Sequence, residues 1–342
     1  MTTLNVGEPV CSVACSPGRF KGVEALVAPI APQLELLSLH LANQVSAFEG
    51  PVRPLLAESL AHLGKRLRSV LLFFAGFNSQ HSSEQTDGLV RAAAVLELIH
   101  LATLIHDDIL DKAEMRHNTD TVDRKYGTHV AVLLGDAIFA HALKLASDFP
   151  TVEVCRAASE ATRQVCSGEI AQTFARGQMN MDFDQYRHLI DLKTAELFAV
   201  AARLGALLGG GSPDFVEACE RFGRQVGIAY QMFDDWTDVQ GQESRIGKTL
   251  GTDWATGKCT LPFILLRAKV TQALWDAWMQ QSSSIEDWQQ RFAQEGIAAA
   301  VKACFDAELA QGLQAIAPYQ GKESVKFLMA FAEFIEFQWS RV

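Results

Sequence analysis

Apolar positions recur every three to four residues over long stretches of this chain, the spacing of one helix face rather than the alternation of a strand. Residues 88–111, 182–208 and 213–238 show it most clearly and are rich in Ala, Leu, Glu and Arg, which are good helix formers. Six of the ten prolines lie within the first 54 residues, and only Pro150, Pro213, Pro262 and Pro318 follow. Because proline breaks helix interiors, each proline-free interval has room for several helices. Polar stretches at 78–88, 209–213 and 281–284 read as loops, and Ser212 before Pro213, with Asp214 next, reads as a helix start. No stretch alternates Val, Ile and Thr in strand fashion. The pattern predicts an all-α fold: a loosely ordered leader over residues 1–22 and a single large helical domain over 23–342.

Composition narrows the class. Hydrophobic residues make up 49% of the 342, ample for a large core. There is no unbroken run of 18 apolar residues, so no integral membrane segment is expected. The N-terminus lacks the basic and apolar regions of a signal peptide. The seven cysteines, Cys11, Cys15, Cys155, Cys166, Cys219, Cys259 and Cys304, form no framework of disulfide or zinc spacing. These features point to a reducing, cytoplasmic setting. Thirty Lys and Arg against forty Asp and Glu give a net charge of −10, which disfavours nucleic acid as a partner.

Part of that acidity is concentrated. Asp107, Asp108 and Asp111 end one apolar helical stretch, and His100, Thr103, Asp107 and Asp111 fall on one stripe at helical spacing. Carboxylates at the C-terminal end of a helix oppose its dipole and one another, so a cation is expected to answer them. A lone Asp-Asp-x-x-Asp is usually solvated surface. Here it recurs as Asp234, Asp235 and Asp238, again ending an apolar run, with Gln231 upstream on the same face. Mg²⁺ selects carboxylate oxygens and typically bridges them to substrate phosphates.

With both aspartate clusters in view, the chain resembles the trans-isoprenyl diphosphate (polyprenyl) synthases from about Gly64 to Pro262. The resemblance runs through Gly64-Lys65-Arg66-Leu67-Arg68, Glu97-Leu98-Ile99-His100, His106-Asp107-Asp108, Gly135-Asp136, Gly168-Glu169 and Lys193-Thr194. It ends with Gln231 before the second cluster, Gly247-Lys248 and Gly257-Lys258. It implies an isoprenoid synthase-like bundle around a central active-site cavity. It implies condensation of isopentenyl diphosphate with an allylic diphosphate by ionisation, condensation and elimination, in a homodimer using about three Mg²⁺ per site. By the same resemblance, the six aspartates Asp107, Asp108, Asp111, Asp234, Asp235 and Asp238 serve the metal. Lys65, Arg68, His100 and His117 serve isopentenyl diphosphate, and Arg116, Lys193, Lys248 and Lys258 the allylic diphosphate. Thr194 and Gln231 face the cation that forms. Ala102 and Thr103, small residues five and four before the first aspartate, imply a medium- or long-chain product.

Two positions depart from the family pattern. His117 stands where a second consecutive arginine is usual, which implies weaker isopentenyl diphosphate binding and a steeper pH dependence, since histidine titrates near neutrality. Ser69 stands where proline is usual. Other readings share parts of the pattern: a farnesyl or geranylgeranyl diphosphate synthase, a weakly active subunit of a heteromeric synthase, a terpene cyclase, and a di-iron helical bundle using Glu97-x-x-His100. The second aspartate cluster disfavours the cyclase.

Overall fold

The computed structural model describes residues 23–116, 119–240, 251–281 and 284–340. The leader 1–22, with Cys11 and Cys15, lies outside them, as do His117, Lys248 and residues 282–283 of the last expected loop. The helices in order are α1 (Val23–Val27), α2 (Ala31–Gln44), α3 (Arg53–Leu60), α4 (Leu67–Ala75) and α5 (Ser83–Leu110). Two short strands follow, β1 (Met115–Arg116) and β2 (Thr119–Asp120). Next come α6 (Val122–Tyr126), α7 (Thr128–Ser147), α8 (Val152–Ala175), α9 (Phe183–Ile190), α10 (Glu196–Leu208) and α11 (Pro213–Gln240). The chain closes with α12 (Thr252–Ala255), α13 (Leu261–Lys269), α14 (Gln272–Gln281), α15 (Ile285–Gln294), α16 (Ile297–Ile316) and α17 (Glu323–Trp339). The all-α expectation holds apart from the strands, which pair antiparallel with Met115 opposite Asp120 and Arg116 opposite Thr119. Two residues a side are too few to leave a period-two signal in the sequence.

Local chemistry fixes the ends of the long helices. The expected loop at 78–88 is shorter than its composition suggested, because Ser82 and Gln85 form a reciprocal capping box that starts α5 at Ser83. Asp182 and Gln185 do the same for α9. Helix α11 starts at Pro213, as expected. The expected helix over 182–208 is interrupted by a π-helical turn, Asp191–Ala195, between α9 and α10. π-Turns are rare and concentrate at functional sites.

Helix α5 is buried nearly all round, from Leu89 to Ile105, as suits a central element. A large apolar cluster surrounds it, drawing on α2, α4, α7, α8, α10 and α17. A second, aromatic-rich cluster holds Trp236, Phe263, Trp275, Trp288 and Phe292. Helix α11 joins the two: Phe222, Val226 and Ala229 belong to the first, and Ile228, Met232, Trp236 and Val239 to the second. By length and overall apolarity three helical stretches could cross a membrane, Glu24–Ala47, Ser83–Leu110 and Thr128–Ser147. The expectation from the sequence rested on unbroken apolar runs, a stricter criterion than length and overall composition. In Ser83–Leu110, 72% of the apolar window is buried inside the protein.

Candidate active site

The two acid-rich helix ends, of α5 and α11, meet around shared cations. Asp107 Oδ2 lies 4.0 Å from Lys193 Nζ. Asp111 is gripped on both oxygens: Arg176 Nη2 lies 2.7 Å from Oδ1, and Lys258 Nζ donates to Oδ2 at 2.8 Å. These cations come from the π-turn, the end of α8 and the segment before α13, and they answer the unfavourable stacking of carboxylates at the end of α5. Lys258 also stands 3.5 Å from Asp253, a half-buried acid on α12. Asp253 feels the charges of Asp238 and Asp234 from the second cluster and of Asp111 from the first. Lys258 and Asp253 thus link the two clusters.

Protonation reflects this crowding. Burial pushes Asp107 up to about 6, with Lys193 opposing and Glu169 and Asp111 adding to the rise. Burial and Asp238 push Asp253 up to about 6 against the pull of Lys258. Asp111 is held below its ordinary value, because Lys258, Lys193 and Arg176 together outweigh its burial.

The six aspartates, grouped as metal-serving on sequence, divide into two kinds. Asp108 is 5% exposed and receives Arg116 through Nη2 at 2.7 Å and Nε at 2.9 Å. It shares its side of α5 with Leu101, Leu104 and Ile105, and with Arg116 and Thr119 it borders a small separate cavity against α3. Asp235, also 5% exposed, accepts from Tyr186 Oη and from Gln231 Nε2, both at 2.7 Å. Burial, reinforced by the charge of Asp253, pushes it up to about 8. Gln231 Oε1 in turn accepts from Thr194 Oγ1 at 2.7 Å. Asp108 and Asp235 are thus each held by side chains of the protein, on a different side of their helix from the aspartate before them, because adjacent aspartates on a helix point about 100° apart. Arg116, expected at the diphosphate, is the residue that Asp108 positions. Asp238 accepts from Thr252 Oγ1 and the Asp253 backbone N–H, which fastens the end of α11 to α12. Asp234 stands close enough to shift Tyr230, Asp238 and Asp253.

Lys193 is placed by its unusual backbone. It pairs with Glu169 Oε2 at 2.5 Å and donates to Gln172 Oε1 at 2.9 Å. A Cβ on Gly168 would sit 2.9 Å from Leu192 Cβ and 3.0 Å from the Lys193 backbone nitrogen, so glycine is what lets α8 reach the π-turn. At Gly135 the missing side chain leaves room for the His106 ring.

Before α4, Gly64 and Arg66 adopt left-handed backbone conformations, with φ of 65° and 49°. For arginine that conformation is strained, as is common where a ligand is held. The strained turn launches α4 with Lys65 exposed and Arg68 half-buried. The Arg68 guanidinium lies over Phe198, 4.8 Å from the ring centre, and its Nε is buried without a hydrogen-bond partner among the described residues. Glu97 is fully buried and accepts from Ser69 Oγ at 2.5 Å, a bond that the usual proline could not make. His100 and Thr103 are half-buried, and Thr103 Oγ1 donates to the His100 carbonyl at 2.7 Å. Ala102 is fully enclosed. The structure thus brings together the first and second clusters, Lys193, Lys258, Thr194 and Gln231. Three residues with no role assigned from sequence also line the site: Glu169, Gln172 and Arg176. Their i, i+3, i+7 spacing on α8 was the available signal. Asp253 was missed as well, although it lies between the two Gly-Lys pairs.

The donor set fits divalent cations. Asp107, Asp111 and Asp234 are the carboxylates best placed to hold them, and Glu169 Oε1 is buried without a hydrogen-bond partner among the described residues. No three His, Cys, Asp or Glu side chains form a self-sufficient metal cage among the described residues. Mg²⁺ needs none, because it keeps several waters and relies on substrate phosphates.

Comparison with known proteins agrees with this geometry. The Polyprenyl synthetase family matches residues 52–294. Solanesyl-diphosphate synthase 2, chloroplastic, of Oryza sativa subsp. japonica is 33% identical over 245 residues, 69% of this chain and 61% of its own length. The chain thus spans about three fifths of that relative. Heptaprenyl diphosphate synthase component 2 of Geobacillus stearothermophilus is 31% identical over 71% of this chain and 75% of its own. The crystal structure of a polyprenyl synthase from Caulobacter crescentus, complexed with calcium and isoprenyl diphosphate, superposes with a TM-score of 0.84 at 26% identity. It covers 93% of this chain and 98% of its own. With residues 52–294 matched and the two aspartate clusters linked through Lys258 and Asp253, the chain belongs to the Polyprenyl synthetase family.

Proposed function

We propose that this chain is a trans-polyprenyl diphosphate synthase that joins isopentenyl diphosphate to an allylic diphosphate and makes a medium- or long-chain product. The observation that carries the reading is the convergence of Asp107 and Asp111 with Lys193 and Lys258, joined through Asp253 to the charges of Asp234 and Asp238. Such a site can hold a diphosphate and stabilise it as it leaves. Mg²⁺, when bound, supplies Lewis-acid stabilisation of the departing pyrophosphate. Lys193, Lys258 and Arg116 provide fixed positive charge at the allylic diphosphate, and Lys65, Arg68 and His100 at the isopentenyl diphosphate. The allylic C–O bond breaks and pyrophosphate leaves. The double bond of isopentenyl diphosphate then forms the new C–C bond, and a proton is lost to the pyrophosphate. Gln231 and Thr194, held by Asp235, turn oxygens toward the transient cation without being strong nucleophiles.

Medium or long product length is supported by the small residues Ala102 and Thr103 and by the solanesyl and heptaprenyl names of the relatives. We place the enzyme in the cytoplasm without a membrane-spanning segment, with its apolar helices serving the core and a subunit contact. For a homodimer, the supporting feature is the exposed apolar face of α7 and α8, with Leu133 68% and Phe174 78% exposed beside Val130 and Ile170. A second reading, one subunit of a heteromeric synthase, is favoured by the name of the Geobacillus relative. Pyrophosphate release by the purified chain alone, with Mg²⁺, isopentenyl diphosphate and an allylic primer, tests both. Release supports the self-sufficient enzyme, and its absence until a second protein is added supports the heteromer.

A further inference from the structure

Arg176 has no part in the assignment above, yet it makes one of the shortest contacts to the first aspartate cluster. Following the last residue of α8, it reaches Asp111 Oδ1 through Nη2 at 2.7 Å and donates through Nη1 to the Leu110 carbonyl at 3.1 Å. The guanidinium is thereby fixed against the end of α5, where carbonyls and carboxylates concentrate negative charge. Lys258 holds the other oxygen of the same carboxylate. The two cations arrive as a unit, because the Gly177 backbone N–H donates to the Gly257 carbonyl at 2.8 Å. Close approach of the two strands of chain is permitted by Gly257, at φ 73°, where a Cβ would meet the Gly177 nitrogen at 3.0 Å.

We infer that Arg176 is a positioning residue that neutralises Asp111 in the metal-free protein, so that a divalent cation enters this cluster together with a diphosphate rather than ahead of it. A metal ion arriving alone meets a carboxylate with both oxygens engaged by cations, and like-charge repulsion opposes its entry. Asp107 and Glu169 are likewise answered by Lys193. A diphosphate brings the negative charge that draws Arg176 and Lys258 away from the carboxylate and opens it to the metal. This inference rests on the prenyl-transfer reading of the site.

Mn²⁺ binding, followed by electron paramagnetic resonance with and without inorganic pyrophosphate, tests it on the intact chain and on Arg176→Met and Arg176→Lys. Wild type is expected to bind Mn²⁺ alone weakly and much more tightly with pyrophosphate. Arg176→Met should bind Mn²⁺ alone on the order of tenfold more tightly, with a smaller pyrophosphate enhancement, because one full counter-charge at contact distance is gone. Arg176→Lys should keep the wild-type pattern. A gain in affinity is not an effect that misfolding produces. If Arg176→Met binds Mn²⁺ alone no more tightly than wild type, the inference is overturned. Failure of the prenyl-transfer reading would appear separately, as wild-type protein that consumes no substrate with Mg²⁺.

Discussion

Asp107 and Asp108 are neighbours in sequence, and the protein uses them for different purposes. One turns to Lys193, the other to Arg116, whose charge also reaches Asp107. The helical stripe of His100, Thr103, Asp107 and Asp111 was legible from spacing alone. The engagement of Asp108 and Asp235 by protein side chains was not, because a run of aspartates shows a cluster without showing which partners wait on each side. The same distinction separates the two small residues upstream. Thr103 is half-buried on the stripe of Asp107 and Asp111, while Ala102 is fully enclosed. A large side chain at 103 therefore starts from a partly exposed position, whereas one at 102 must overpack, at a cost of about 1–3 kcal/mol. Thr103→Phe is expected to shorten the product while leaving the melting temperature near wild type, and Ala102→Tyr to lower it. Product sizing and thermal melts check both, and an unchanged product from Thr103→Phe would remove that position from the pocket floor.

At the scale of elements, the π-turn at Asp191–Ala195 is the feature the sequence hid. Its residues are ordinary helix-compatible types, and the fifth-residue hydrogen-bond pattern arises from packing against α8 and α11. Glycines carried an indirect trace of it. Gly168 lies against Leu192 and Lys193, and Gly227 lies against Ala195, each at a distance that no Cβ tolerates. For Gly168→Ala two effects compete. Alanine gains about 1 kcal/mol of helix propensity, and overpacking against a backbone nitrogen and a Cβ costs about 1–3 kcal/mol. Neither neighbour is the flexible end of a side chain, so the loss should win by about 1 kcal/mol. The displaced Lys193 should raise the KM for the allylic substrate more than that for isopentenyl diphosphate. Equal changes in the two constants, or a more stable protein, would count against this. The helix start at Ser212-Pro213 was readable because capping is local chemistry, whereas the capping boxes at Ser82 and Asp182 were passed over, the first inside a stretch read as loop. The two-residue strands were not readable.

Across the whole molecule, a net charge of −10 coexists with a site proposed to take two anionic substrates. The carboxylates at the helix ends invert their field only when cations occupy them, which gives the metal-free protein a characteristic pH response. Burial, with help from neighbouring carboxylates, raises Asp107 and Asp253 to about 6 and Asp235 to about 8. From the ordinary carboxylate range up to about pH 8, the folded state therefore holds protons that the unfolded chain has released. The stability these groups contribute is complete below their unfolded values and is lost as pH rises through 6 and 8. Melts in a chelator should show a lower melting temperature at pH 8 than at pH 5, and Mg²⁺ with pyrophosphate should narrow the gap. A higher value at pH 8 without metal would contradict the crowding of carboxylates at this site.

The family and its chemistry were legible because two aspartate clusters 127 residues apart keep matching surroundings. What they do together is tested most directly by sizing products. The purified chain is incubated with Mg²⁺, isopentenyl diphosphate and allylic primers of five to twenty carbons. The expected result is Mg²⁺-dependent consumption of at least one primer and a ladder of polyprenyl diphosphates ending at medium or long chain length. No consumption of any primer by the chain, alone or with a partner subunit, would contradict prenyl transfer at this site.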